Sequence, residues 1–238
     1  MKRLLAVALL ALALPPGTSA GGGITVFAAA SLTHVFPQID RSPRYSFAGS
    51  DQLALQLQQG APADVYAAAS PKFAELLYRS GVLEKPVVFA TNKLVVIVPR
   101  SNPAHVESPY DLRRGGTRVV IGDASVPIGA YTRQILDTLG IMNDVLKNVV
   151  SEETDVKGIV AKVALGEADA GVVYATDARA AKVKNVPFPA WAQPPVRYEL
   201  AVVRSSRHQA AARTFVKRVQ SKRGRLLLAR AGFGLPKR

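Results

Sequence analysis

Three short segments carry the residue types that could hold a small anion. They are Phe27-Ala28-Ala29-Ala30-Ser31-Leu32-Thr33, Phe47-Ala48-Gly49-Ser50-Asp51-Gln52-Leu53 and Gly171-Val172-Val173-Tyr174-Ala175-Thr176-Asp177-Ala178. Each reads as a strand running into a small, hydroxyl-bearing turn, and the first two then enter a helix. A helix N-terminus presents backbone N–H groups that lack an intrahelical acceptor, together with the positive end of the dipole. That arrangement suits an oxyanion. Ser31 and Ser50 add hydroxyl donors at two such junctions, and Tyr174 adds a phenol at a strand end. Taken singly, each has an ordinary alternative: a helix cap for the serines, a core aromatic with a polar tip for the tyrosine.

Other chemistries are poorly supplied. His34, His105 and His208 are dispersed and lack metal-ligand spacing, and there is no cysteine. No direct cation site is expected. Ser31 with His34 invites a hydrolase reading, but no Gly-x-Ser-x-Gly elbow surrounds the serine. Asp51 and Asp123 lie near the anion-holding turns. They read first as caps at helix starts, and alternatively as acceptors for a protonated ligand or as a general acid or base.

The elements that must position these groups alternate between strand and helix. Strands are expected at Ile24–Phe27, Tyr45–Ala48, Asp64–Ala68, Lys93–Val98, Arg118–Ile121, Ala170–Tyr174 and Tyr198–Val203. Helices are expected at Leu53–Gln59, after Ser70-Pro71, at Ala130–Leu139, Val156–Leu165 and Ala210–Val219, and near Arg223–Ala231. Leu32, Val35, Phe36 and Ile39 form one more helical face, which Pro37 should kink or shorten. The pattern is that of an α/β protein with mainly parallel sheets covered on both faces. All three anion-holding segments then fall at the C-terminal ends of strands, where open α/β sheets bind ligands.

The chain starts with Lys2 and Arg3, an apolar run from Leu4 to Leu14, Pro15-Pro16-Gly17, and the small residues Thr18-Ser19-Ala20. This reads as an export leader cleaved after Ala20, leaving a soluble periplasmic or secreted protein; an uncleaved anchor is the alternative. Formal net charge is +14, of which the leader carries two. Positive residues crowd the C-terminal end, from Arg204 to Arg238, with few aromatics among them and no recognition-helix or zinc motif. The expectation is a solvated basic face and no nucleic-acid partner.

Five ordered motifs carry a resemblance. Ile24 to Thr33, Phe47-Ala48-Gly49-Ser50 with Gly60-Ala61-Pro62-Ala63-Asp64-Val65, Val126-Pro127-Ile128-Gly129-Ala130-Tyr131, Glu153-Thr154-Asp155-Val156-Lys157-Gly158, and Gly171-Val172-Val173-Tyr174 together resemble the bacterial periplasmic molybdate-binding proteins. The resemblance implies a two-lobed type II periplasmic binding fold, each lobe a mainly parallel sheet flanked by helices. Residues 24–97 with 199–238 would form one lobe and 98–198 the other. It implies a monomer that captures molybdate or tungstate between the lobes, with no cofactor, and delivers it to a membrane ABC permease. Carried over residue by residue, the ligand contacts are Ser31 and Ser50 through hydroxyl and N–H, Ile128 and Val156 through N–H, and Tyr174 through its phenol. The chain departs from the family in having Ile128 where Ala is usual, Ala68 and Ser70 where Ser and Asp are usual, and a shorter segment between Ser31 and Ser50. An enzyme on the same fold and a carrier of another oxyanion such as sulfate are the alternatives. Because none of the five donors titrates near neutrality, affinity is expected to vary little between about pH 6 and 8.

Overall fold

The computed structural model describes residues 23–236, so the leader expected at 1–20 lies outside the described residues. The first half of the chain runs β1 (Thr25–Ala29), a 3₁₀ turn (Ala30–Leu32), α1 (Phe36–Ile39), β2 (Arg44–Ala48), α2 (Ser50–Gln58), β3 (Val65–Ala68), α3 (Pro71–Arg79) and β4 (Val87–Thr91). The second runs β5 (Leu94–Val98), β6 (Val119–Gly122), α4 (Pro127–Thr138), α5 (Met142–Leu146), β7 (Val149–Glu153), α6 (Val156–Ala164), β8 (Ala170–Tyr174), α7 (Ala175–Ala180) and β9 (Lys184–Pro187). The chain then returns through β10 (Arg197–Val202) and ends in α8 (Gln209–Gln220) and α9 (Lys222–Arg230).

Two five-stranded sheets result, ordered β2-β1-β3-β10-β4 and β7-β6-β8-β5-β9. In the first, β1 pairs parallel with β2 and β3, and β10 lies antiparallel to β3 and β4. In the second, β6 pairs parallel with β7 and β8, and β5 lies antiparallel to β8 and β9. Each sheet is therefore a parallel trio extended by two further strands through antiparallel pairing, and β10 returns from the C-terminal end to the first sheet. Residues 94–97, expected in the first lobe, belong to β5 in the second sheet. The physical reason is burial. Leu94 to Val98 is apolar at every position and buried at every position, so it needs neighbours on both sides, which β8 and β9 supply. The first crossing between the sheets therefore falls at Asn92-Lys93.

Helix starts agree with local chemistry. Ser70 caps α3 by accepting from the Lys72 N–H, with Pro71 at the first helical position. Pro37 does shorten its segment, leaving a 3₁₀ turn followed by the four residues of α1. Helix α4 begins at Pro127, earlier than the Ala130 expected, and α2 begins at Ser50, earlier than Leu53. Both extensions matter, because they put Ile128 and Ser50 in a first helical turn, among donors with no intrahelical acceptor.

Candidate functional site

The ends of six parallel strands meet around one small cavity. Ala29, Ala30 and Ser31 line it from the end of β1, Ala48, Gly49 and Ser50 from β2, and Ala69 from β3. Val126, Pro127 and Ile128 line it from beyond β6, Asp155 and Val156 from beyond β7, and Tyr174 from the last residue of β8. The structure thus brings together all five residues singled out in the sequence. The cavity measures about 20 Å³, against ~10–15 Å³ needed to hold one water by the same kind of measure. It suits a compact group of a few atoms and is far too small for a sugar or an amino acid.

Helices α2, α4 and α6 point their N-termini at this space, and the 3₁₀ turn at Ala30–Leu32 adds a fourth set of N–H groups. In α6 the Asp155 carboxylate accepts from the N–H groups of Lys157 and Gly158, at 2.7 and 3.3 Å, which leaves the Val156 N–H for the cavity. This cap is signalled by an Asp immediately before the helical run, though the sequence reading gave it no role. Asp51 and Asp123 do not cap as expected. Asp51 makes no side-chain cap bond in α2. Asp123 instead closes the turn before α4 by accepting from the N–H and hydroxyl of Ser125.

The hydroxyls differ in how they are held. Ser50 Oγ accepts from the Ala69 N–H at 3.1 Å, so its own proton is free to point into the cavity. The neighbouring Ser50 carbonyl accepts from the Tyr66 phenol at 2.7 Å, which pins the same residue from the other side. Ser31 Oγ lies 2.8 Å from the Tyr198 hydroxyl. The Tyr174 hydroxyl is buried and has no hydrogen-bond partner. Burial among Tyr198, Tyr131 and Asp177 pushes its pKa well above the ordinary value, so it stays a neutral phenol with a proton to donate. An orphaned phenol in the interior costs free energy unless something else accepts from it.

Ile128, the departure from the usual Ala, is accommodated by a glycine. A Cβ on Gly122 would lie 2.7 Å from Ile128 Cγ2. The branched side chain therefore packs over the end of β6. Opposite it, the two sheets approach closely at Gly49, where an added Cβ would lie 2.6 Å from both the Thr154 carbonyl oxygen and Asp51 Oδ1. Among the described residues no cluster of three or more metal-ligating side chains occurs, and no helix is long and apolar enough to cross a membrane.

Comparison with known proteins bears on this geometry. The family described as bacterial extracellular solute-binding protein matches residues 24–234. The molybdate-binding protein ModA of Mycobacterium tuberculosis is 41% identical over 235 residues, covering 93% of this chain and 88% of the relative. That of Haemophilus influenzae is 34% identical over 256 residues, covering 98% and 99%. Among solved structures, the periplasmic molybdate-binding protein of Azotobacter vinelandii superposes with a TM-score of 0.82 at 23% identity, over 90% of this chain and 100% of the other. At that identity the likeness speaks for the two-sheet fold. Family match and curated relatives together lead to one conclusion: the chain belongs to the bacterial extracellular solute-binding proteins, in the family of the molybdate-binding proteins.

Proposed function

We propose that the protein is an exported carrier that takes up molybdate, or tungstate, as the intact tetrahedral oxyanion and passes it to a membrane ABC permease. Ser31, Ser50, Ile128, Val156 and Tyr174 are the first contacts of the ligand. It acts as a monomer, by stoichiometric binding without turnover. The observation that carries the reading is the buried Tyr174 hydroxyl, which has no protein partner and lines a cavity ringed by helix N-termini.

The physical logic is compensation. A dianion gives up much hydration on entering a dry cavity. Each hydrogen bond to a charged group returns about 1.5–3 kcal/mol, so five or more aimed donors can offset that loss. Neutral donors fixed on rigid strand ends discriminate by size, because they cannot follow a smaller ion inward. They carry no compensating charge, so release to a partner does not require breaking an ion pair. Calorimetry of the mature protein with molybdate, tungstate, sulfate and hydrogenphosphate tests the reading. Tight one-to-one binding of the first two and weak binding of the others is the expected result. Equal competition by sulfate would change the assigned ligand, and no binding of any tetrahedral oxyanion would refute the carrier.

A further inference from the structure

Behind Ser31 lies a chain of buried polar groups outside the lining of the cavity. Asn92 sits at the first crossing between the sheets, Tyr198 on β10, and Thr176 on α7; all three are buried. The Asn92 carbonyl oxygen, Oδ1, accepts from the Lys93 N–H at 2.9 Å. A backbone N–H can only donate, so this bond fixes which end of the amide is which. The Asn92 NH₂ must then face the other way. It donates to Thr176 Oγ1 at 3.0 Å and points at the Tyr198 oxygen at 3.4 Å.

The direction propagates. An NH₂ group offers Tyr198 no acceptor, so the Tyr198 proton has one remaining partner, Ser31 Oγ at 2.8 Å. Once Ser31 accepts from Tyr198, its own proton turns to the cavity. The two ends of this chain are thus tied together: a backbone amide at residue 93 decides the polarity of a hydroxyl 62 positions earlier.

Resting on the carrier reading above, we propose that Asn92 and Tyr198 form a one-way hydrogen-bond relay that locks Ser31 as a donor, and that this relay selects oxyanions bearing no proton over those that carry one. Molybdate, tungstate and sulfate at neutral pH have only acceptor oxygens. Hydrogenphosphate has the same charge but one O–H, which needs an acceptor. A serine free to rotate can accept from that O–H; a serine held by the relay cannot. Asn92 and Tyr198 do not line the cavity and are positioning residues. Asp155 also borders the cavity, but it is common to every variant below and cancels in the comparison.

Two substitutions test the relay. Tyr198→Phe keeps the ring, which packs edge-on against Tyr174, Phe89 and Phe233, and removes only the directing hydroxyl. Asn92→Asp keeps the acceptor for Lys93 but places a second acceptor opposite Tyr198, which reverses the chain. Affinities for molybdate, sulfate and hydrogenphosphate are measured at about pH 8, where phosphate is mainly the dianion, so added charge in Asn92→Asp weighs on all three alike. The expected result is a fall of about tenfold or more in the molybdate-to-hydrogenphosphate ratio in both variants, the worth of one hydrogen bond to a charged group. The molybdate-to-sulfate ratio should stay within a factor of ~2, since neither ion has a proton to place. A parallel loss for all three anions would overturn the relay and leave Tyr198 a structural residue. Neutron diffraction of the ligand-free wild-type protein decides the same point without any ligand. Density for the Tyr198 deuteron toward Ser31, with the Ser31 deuteron toward the cavity, supports the relay even if the carrier reading falls. The opposite orientation refutes it even if molybdate binds.

Discussion

The two sheets are built alike but meet the cavity differently. The first contributes hydroxyls that are already engaged: Ser31 with Tyr198, and Ser50 with the Ala69 N–H. The second contributes two backbone N–H groups and the Tyr174 phenol, which has no partner. The hydroxyl oxygens of one wall are already anchored within the protein, which aims their protons at the cavity; the phenol of the other wall has no anchor until an acceptor arrives. Such a division suits a two-lobed carrier. Ligand docks on the anchored wall, and the unanchored donor of the second wall then favours closure. The largest expected effect comes from preventing the walls from meeting. Gly49 has φ of −57°, open to any residue, so Gly49→Ala strains no backbone. Its Cβ would instead collide with the Thr154 carbonyl across the cleft, while the equally close Asp51 carboxylate is the end of a side chain that can turn away. Overpacking of this kind costs about 1–3 kcal/mol, and because the contact exists only with the walls together, the loss should appear in affinity, at up to ~100-fold. Apo thermal stability should hold. Calorimetry and a melting curve on the same sample check both, and undiminished affinity would mean that the walls do not close on the ligand.

The contrast between engaged and unengaged hydroxyls sharpens at the next level. Ser50→Ala and Tyr174→Phe each remove one donor to a charged ligand and should each weaken molybdate binding by about ten- to a hundredfold. Their stabilities should diverge. Ser50→Ala strips the buried Ala69 N–H of its acceptor and should lower apo stability by about 1–3 kcal/mol. Tyr174→Phe deletes a hydroxyl that had no partner, so apo stability should hold or rise. Chemical denaturation of both variants without ligand separates the cases. Equal destabilisation would mean that both walls are prebuilt.

The sequence made the parallel trios and the anion-facing strand ends readable, because both depend on local patterns: apolar runs, and hydroxyls at strand-to-helix junctions. What it concealed depends on partners far along the chain. Strands β4, β7 and β9 were not foreseen, and all three are sheet edges. An edge strand has one ladder partner and one open side, so it needs less apolar sequence; β9 reads Lys-Asn-Val-Pro and carries almost no strand signal. Residues 94–97 were assigned to the wrong sheet because an apolar run says that a strand is buried, not which sheet buries it. Tyr198 read only as a strand start, since its partner Ser31 is 167 positions away. Asp177 belonged to the third anion-holding segment, Gly171 to Ala178, but gave no hint that the fold would bury it.

That buried carboxyl yields the smallest predicted effect and sets a different expectation for pH from the one drawn from the donors alone. Asp177, in the first turn of α7 beyond Tyr174, is 9% exposed, and its Oδ2 has no partner. Burial foremost, and then the Asp155 carboxylate, raise its pKa from 3.8 to about 7; its own and the Tyr174 backbone and the Lys157 ammonium oppose the rise. A group raised toward neutrality therefore stands next to Tyr174, outside the five donors and outside the cavity lining. Raised in the folded state, this carboxyl is protonated when folded and ionised when unfolded between about pH 4 and 7. Folding then takes up a proton, and stability falls as pH climbs through that window. The ceiling for a rise from 3.8 to about 7 is ~4 kcal/mol. Carboxylates with lowered values, such as Asp64 beside Ser206 and Asp169 beside Arg118, act oppositely and lose their stabilising effect only as pH drops below the ordinary range. Asp177→Asn should consequently stabilise the apo protein at pH 8 and matter little at pH 4. The same charge stands near the Tyr174 and Tyr198 phenols, so ionising it should repel a dianion in the cavity. Wild-type affinity should decline several-fold between about pH 6 and 8, and Asp177→Asn should flatten the decline while leaving affinity at pH 6 unchanged. Titration calorimetry in two buffers of different ionisation enthalpy adds a direct reading, since binding near pH 7 should take up a fraction of a proton in the wild type and none in the variant. Identical proton uptake in both would place the titrating group elsewhere in the second wall.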